Sequence, residues 1–519
     1  MINFHKQSIV QATFLLTAIA FLSKILGFLR EVTIANVFGA SAITDAYLVA
    51  SVLPGIVAGL IGGSLTTVFI PVFLEEREKK GEQEAWLAAN TILSVSFVYL
   101  VIATILAYAL ATPFLKLIAP GFPADRLVMA TLLTRLLLPS LIFHGLLGIL
   151  TGLAQSYKQF LIPAIGGFLY NICIIISILL LGRRLPPLSL ALGNVLGVFL
   201  QVILVYLYLN RKISHIKWHI DFSHPAIKKT FYLMIPILIG TSAGYINVIV
   251  DRIFASGLPE GSISALNFAV RVRDLPVSLF ASSIAVAIYP TTSELVVANR
   301  NDRIIDLLNK AVRFTWLIVI PASVGLVALD KEIIRLLFER GAFDSRATLL
   351  TAGALRYYSL GLFATASAPV IARTFYSFQD TVTPVVISFL SIGLNICLNA
   401  ILVKFMSHLG LALATSISGI FSFSLLLILL RKKLGAIGGK RLILDFSKIS
   451  LASLIMGGGL LFLKNSLLNL DFKLEFIRLF LLILIGILIY GIVISILLKE
   501  ERERLKSIVR KYVKRVVKF

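Results

Sequence analysis

Apolar runs of about twenty residues recur from one end of this chain to the other, the length a helix needs to cross the hydrocarbon core of a bilayer. Only helices and closed barrels satisfy their own backbone hydrogen bonds inside lipid, and runs this long read as helices. The chain is 58% hydrophobic and 14% charged, and no stretch reads as a separate soluble domain. The expected fold class is therefore an all-α polytopic membrane protein. Its fourteen transmembrane helices are expected over about 8–37, 43–74, 86–112, 126–156, 161–182, 187–210, 227–256, 262–295, 304–328, 346–374, 382–404, 407–431, 446–464 and 473–498.

Lys and Arg outnumber Asp and Glu by 49 to 26, a net charge of +23. The basic residues sit mostly in short loops and in the tail, which fits the positive-inside rule and anionic lipid and argues against nucleic acid as a partner. Arg211, Lys212 and Lys217 follow span 6, Arg300 and Arg303 follow span 8, and Arg431, Lys432, Lys433, Lys440 and Arg441 follow span 12. All fall on one side of the membrane, with both termini in the cytoplasm; Arg183 and Arg184 run against the bias. The first apolar run continues to Val37 without a small-x-small cleavage site before Lys24, so it reads as an uncleaved span. Cys173 and Cys397 both lie in apolar runs and suggest neither a disulfide framework nor a zinc site.

The chain also resembles itself. Gln159 and Pro163 recur as Gln379 and Pro384, Asn171-Ile172-Cys173 as Asn395-Ile396-Cys397, Arg211-Lys212 as Arg431-Lys432, and Pro71 as Pro290, at offsets of 219 to 224 residues. Six helices per copy is an even number, so both copies insert with one orientation and are related by an axis along the membrane normal. The expected plan is an N-terminal lobe over 1–220 and a C-terminal lobe over 221–440, related by that pseudo-two-fold. Two further helices follow over 441–498, and a basic tail over 499–519. That tail carries nine basic and three acidic residues with apolar positions between them and reads as an amphipathic cytoplasmic helix. Pro54 and Gly62-Gly63 interrupt span 2, and Pro276 interrupts span 8. Such breaks accompany helices that bend around a transport path, and also simple packing kinks.

Ionisable residues inside the spans are the candidate site. Each costs about 2.5–3.5 kcal/mol at a bilayer centre and tends to face a cavity or a partner. Lys24 and Arg30 in span 1 and Arg271 in span 8 are the candidate substrate-binding cations, with Glu31, Asp45 and Asp274 as supporting charges. Lys24 and Glu31 are seven apart on one helical stripe, and Arg271 and Asp274 share a face. An excess of positive charge in a dry cleft suits an anion. The bland alternatives are ion pairs that only tie helices together and, for Asp45, a helix cap. Arg273 points away from Arg271 and pairs elsewhere or snorkels. A second polar group, Asp251, Asn395, Asn399 and Thr415, offers oxygen ligands for a small hard cation such as sodium; packing of one Asn on another is its alternative.

The segments Leu22-Ser23-Lys24-Ile25-Leu26-Gly27-Phe28-Leu29-Arg30-Glu31, Phe38-Gly39-Ala40, Thr44-Asp45-Ala46-Tyr47, Ala119-Pro120-Gly121-Phe122, Arg271 to Pro276, Phe338-Glu339-Arg340-Gly341-Ala342-Phe343 and Gln379-Asp380 with Thr383-Pro384 resemble the MurJ/MviN family, the lipid II flippases of the MOP transporter superfamily. The resemblance implies a non-enzymatic transporter of the bacterial inner membrane. It would carry an undecaprenyl-diphosphate-linked peptidoglycan precursor from the cytoplasmic to the periplasmic leaflet by alternating access. Lys24, Arg30 and Arg271 match the family's cavity cations, with Lys at 24 in place of a usual Arg, and would contact the diphosphate. The last two helices would form the groove for the lipid tail. Asp251, Asn395, Asn399 and Thr415 match the family's sodium site, with Asn399 where an acid is expected. No cofactor is implied beyond sodium or the membrane potential, and cell-wall synthesis proteins are candidate partners. Span 2 departs from the family pattern: an Arg and a Gly-Glu-Gly-Ala stretch are absent, and the region reads Pro54 to Ser64.

The competing readings are a flippase for another polyprenyl-diphosphate-linked glycan, such as an O-antigen or capsule unit, and a drug/cation antiporter of the same superfamily. A membrane-embedded polyprenyl-phosphate transferase is the reading from another class. A cationic cavity disfavours cationic drugs, and no cluster of acids suggests a transferase.

Overall fold

The computed structural model describes residues 9–213, 216–466 and 475–498, and every regular element among them is helical. The expected tail helix over 499–519 lies outside the described residues. The helices are α1 (Ile9–Phe38), α2 (Ala42–Ala50), α3 (Val52–Val57), α4 (Gly63–Lys80), α5 (Glu82–Ile118), α6 (Ala124–Leu137), α7 (Ser140–Ser156), α8 (Leu161–Leu181), α9 (Pro186–Ile213) and α10 (Pro225–Ser256). They continue as α11 (Ser262–Pro276), α12 (Ser282–Val297), α13 (Asn301–Ala328), α14 (Asp330–Phe338), α15 (Ser345–Leu360), α16 (Leu362–Ser377), α17 (Val382–Met406), α18 (His408–Leu434), α19 (Gly439–Ser466) and α20 (Glu475–Leu497). Among the described residues, eleven continuous helices are long and apolar enough to cross a membrane, and twelve if the bent α10 is one span. The protein is a multi-span helical membrane protein.

The two breaks expected from Pro54/Gly62 and Pro276 are π turns, at Ala58–Gly62 and Val277–Ala281. Their starts and their ends are each 219 residues apart, within the offsets of the sequence repeat. A second local feature recurs in the same way. After α7, Lys158 takes φ +59°. Gln159 then donates to the Ala154 carbonyl and Lys158 to that of Gln155, both at 2.8 Å. After α16, Gln379 takes φ +60°. Asp380 donates to Phe375 at 3.0 Å and Gln379 to Tyr376 at 2.9 Å. Both helices thus end in a Schellman turn that satisfies their last carbonyls, with a non-glycine residue in the left-handed region.

The chain divides into two compact units, one comprising residues 1–264 with 340–344, the other 265–339 with 345–519. The division falls later than the 220 boundary of the sequence repeat, because α10 packs on α4 and α5. In the first unit, Leu65, Phe69, Phe73, Trp86, Ile149 and Leu209 form the core. Phe69 and Phe73 stack at 5.7 Å, and Trp86 meets Phe73 edge-on at 6.0 Å. In the second unit, Trp316, Ile320, Phe375, Phe423, Ile449 and Ile494 form the core, and a smaller cluster centres on Met456, Leu460 and Leu482.

The segment 340–344 explains itself by its contacts with the first unit. Ala342 donates its N–H to the Asn36 carbonyl at 2.8 Å. Gly39 (φ +65°) and Gly341 (φ +59°) are both left-handed; a Cβ would fall 2.3 Å from the Ala342 oxygen at the first and 2.2 Å from the Asn36 oxygen at the second. Only glycine permits that approach.

Candidate functional site

In the first unit, α1 packs along α8. The close face is small: a Cβ on Gly27 would lie 3.8 Å from Asn171 Oδ1, and one on Gly167 would lie 3.4 Å from Ser23 Oγ. Arg30 sits at the end of this seam. Its Nη2 donates to Glu31 Oε1 at 2.8 Å and its Nη1 to Asn171 Oδ1 at 3.2 Å. The guanidinium carbon lies 6.0 Å from the centroid of the Tyr170 ring. Asn171 is oriented by its own bond to the Gly167 carbonyl at 3.0 Å, and the Tyr170 hydroxyl accepts from Asn194 at 2.8 Å. The side chains of Arg30 and Glu31 are 19% and 5% exposed, so the pair is largely withdrawn from solvent. A buried ion pair holds only when its remaining polar atoms are bonded too, and Asn171 supplies one such bond. Two of the five guanidinium N–H donors are used among the described residues. Lys24, six residues earlier, is exposed.

The carboxylate of Asp45 accepts from the Gly261 and Ser264 N–H groups, both at 2.8 Å, and from the Ser264 hydroxyl. Glu260 answers in the opposite direction: it accepts from the Ala42 N–H at 2.8 Å and pairs with Arg126 at 3.6 Å. Two helix starts, at Ala42 and Ser262, thus exchange carboxylates for each other's orphan N–H groups. Asp45 is 1% exposed. The cap offered by sequence as the alternative for Asp45 is the contact seen, and it reaches a helix start far along the chain.

In the second unit, Arg271 is exposed and Arg273 is half-buried. Asp274 is held by Arg273, at 2.9 Å from Nε and 2.7 Å from Nη2, and the Arg273 guanidinium lies 5.0 Å from the Tyr358 ring centroid. Asp274 is thus paired with its chain neighbour Arg273, a contact that the helical spacing of Arg271 and Asp274 did not point to. Arg356 binds Asp330 at 2.7 Å.

Of the four sodium candidates, Asp251 lies on α10 in the first unit, and Asn395, Asn399 and Thr415 lie on α17 and α18 in the second. Asn399 Nδ2 donates to Asn395 Oδ1 at 2.9 Å, and Thr415 donates to the Leu411 carbonyl of its own helix at 2.9 Å. Asn395 Nδ2 is buried without a hydrogen bond. These three side chains offer neutral oxygens, and an amide donor already occupies one of them. Among the described residues, no group of three or more His, Cys, Asp or Glu side chains is placed to hold a metal.

An apolar groove of about 380 Å³ opens between α13, α19 and α20, lined by Leu317, Pro321, Met456, Leu460, Ile487 and Tyr490 among others. It lies on the two helices that sequence assigned to a lipid tail. Asn171, Tyr170 and Glu260 were not singled out as site residues. Asn171 carried a signal, its recurrence as Asn395 in the repeat; nothing in the spacing of Glu260 announced a partner 218 residues away.

A multi-span helical bundle with an ion pair and polar side chains held inside is the build of a membrane transporter. The fold matches that of a multidrug resistance MATE family transporter of the MOP superfamily in its inward-facing conformation (TM-score 0.68, 12% identity, covering 82% of this chain and 99% of that one), a likeness of fold alone. A closer match is the structure of a lipid II flippase MurJ in an inward closed conformation, at TM-score 0.80 and 29% identity over 94% of this chain and 99% of that one. The lipid II flippase MurJ family profile matches residues 34–482. The chain belongs to that family. Its relatives include a probable lipid II flippase MurJ of Vibrio cholerae, 30% identical over 80% of this chain and 82% of the relative. Another, from Rickettsia prowazekii, is 29% identical over 79% of this chain and 82% of the relative. The lipid II flippase MurJ of Burkholderia cenocepacia is 26% identical over 82% and 84%.

Proposed function

We propose that this protein moves lipid II, the polyprenyl-diphosphate-linked peptidoglycan precursor, from the cytoplasmic to the periplasmic leaflet of the bacterial inner membrane by alternating access. The observation that carries this reading is the match to a lipid II flippase structure over 94% of the chain at 29% identity. The protein acts as a carrier and makes or breaks no covalent bond. Fourteen spans, both termini cytoplasmic, form two six-helix lobes over 1–220 and 221–440, with α19 and α20 outside the repeat. Lys24, Arg30 and Arg271 bind the diphosphate. Arg30 is suited to this because Glu31 and Asn171 fix its plane with two of its five N–H donors, among the described residues, and a guanidinium binds phosphate oxygens bidentately. The groove on α19 and α20 takes the lipid tail; its lining is almost wholly apolar. Sodium at Asp251, Asn395, Asn399 and Thr415, or the membrane potential, drives the return. Proteins of cell-wall synthesis receive the product.

A second reading, transport of another polyprenyl-diphosphate-linked glycan, draws support from Pro54 to Ser64. This stretch holds no charged residue and forms a π turn. Complementation of a strain depleted of its own flippase decides between them. Rescue of growth and of lipid II translocation is expected. Normal membrane levels without rescue would overturn the lipid II reading in favour of the other glycan.

A further inference from the structure

The connector between α9 and α10 is not a free loop. Residues 216–222, without regular structure, lie against α5. Lys217 donates its N–H to Asn90 Oδ1 and His219 its N–H to Ser94 Oγ, both at 3.0 Å. Trp218 meets Phe97 edge-on at 5.2 Å, and Phe222 meets Tyr99 at 6.0 Å. Asn90, Ser94 and Phe97 follow the i, i+4, i+7 stripe of the helix, so the connector is registered along it.

Beneath the connector is a slot of about 230 Å³ lined by Leu93 of α5, Leu146 and Leu150 of α7, Val202, Ile203 and Tyr206 of α9, and by Ile216, Lys217 and Trp218. Apart from Lys217 and the Tyr206 hydroxyl, the lining side chains are apolar or aromatic. Lys217 is exposed and takes part in no ion pair among the described residues. On the outer side, Trp218, Ile220 and Phe222 are 65%, 56% and 54% exposed. Such a row would be an association hazard in water. At the headgroup level of a bilayer it is where amphipathic rings settle.

We propose that this slot is a binding site for an anionic membrane phospholipid, with an acyl chain between α5, α7 and α9 and its phosphate on Lys217 and the Tyr206 hydroxyl. Charge decides the class. Lys217 lines the slot; His219 follows it in the connector, Arg211 lies near the end of α9 and Lys228 early in α10. The one acid of the connector, Asp221, is turned onto the Ser223 N–H at 2.9 Å. A zwitterionic headgroup would bring its ammonium to Lys217; phosphatidylglycerol brings only its phosphate charge. The site lies apart from Arg30, and its occupancy does not depend on which cargo is carried.

The full-length protein is reconstituted in nanodiscs of mixed phosphatidylcholine and phosphatidylglycerol, released, and its retained lipid counted by native mass spectrometry. Wild type is expected to retain phosphatidylglycerol preferentially. Lys217→Gln, at an exposed position, lowers that retention about fivefold. Ile203→Trp fills the slot and removes retention with an unchanged melting temperature. Lys404→Gln, a charge loss on α17, leaves it as in wild type. Equal retention in wild type and Lys217→Gln, or full retention in Ile203→Trp, would overturn the proposal, as would equal retention of the two lipids by wild type.

Discussion

Arg30 keeps its charge inside an apolar helix because each neighbour does one thing for it. Glu31 neutralises it, Asn171 fixes one nitrogen, and Tyr170 presents a ring face. Among the described residues, the arrangement holds a cation still without using up its donors. Arg30→Ala is therefore expected to lower lipid II translocation by at least tenfold with normal membrane insertion, as is Arg271→Ala, measured as transport in depleted cells or vesicles. Wild-type rates in both variants would remove them from the substrate path. At this scale the sequence was partly legible. Arg30 and Glu31 stand out because charge inside an apolar run is costly. Asn171 does not, since a neutral amide in a long apolar helix carries no such penalty and its partner is 141 residues away.

Helix ends tell a different story. Asp45 opens a helix, so a cap was foreseeable; that it caps a second helix start 216 to 219 residues away was not. A carboxylate withdrawn from buried N–H groups leaves them unsatisfied, at about 1–3 kcal/mol. Asp45→Ala should lower the melting temperature of the detergent-solubilised protein by that equivalent, and Asp45→Asn should lose less. Unchanged melting in Asp45→Ala would mean the bonds contribute nothing. A second element end titrates. Asp380 lies before α17 and accepts from the Thr383 N–H and hydroxyl and from Lys433, each at 3.0 Å. Its partial burial opposes ionisation, but these donors outweigh it and hold the carboxyl below the usual carboxylate range. A lowered folded-state value gives stability that is complete above the unfolded pKa, about 3.9. That stability is lost as pH falls through the folded value. Asp380→Asn should flatten the acid limb of a melting-temperature profile below about pH 4 and change it little at neutral pH.

Across the molecule, the apolar periodicity made the spans readable because lipid leaves the backbone so few choices. The repeat was readable from scattered pairs, and the two Schellman turns and two π turns recur at closely similar offsets. What stayed hidden were the other interruptions within spans, such as the break at Gly361 between α15 and α16, and the attachment of 340–344 to the first unit. These depend on backbone contacts between distant segments, which no local pattern encodes. Coupling to an ion gradient belongs to this scale as well. If Asn395, Asn399 and Thr415 serve a cation, Asn399→Asp supplies the missing charge and should increase the dependence of transport on a sodium gradient. An unchanged flux across graded gradients would assign these amides to packing. The paired π turns carry a consequence of their own. Each accommodates one surplus residue, so everything beyond it is phased by about 100° relative to an uninterrupted α-helix. Deleting one residue from Ala58–Gly62 would let the coil close into plain α-helix with Phe69 and Phe73 still in phase, whereas deleting two would swing both out of their core by about 100°. The protein lacking two should then insert normally but melt early, a lesion of phase in which no contact residue has been changed.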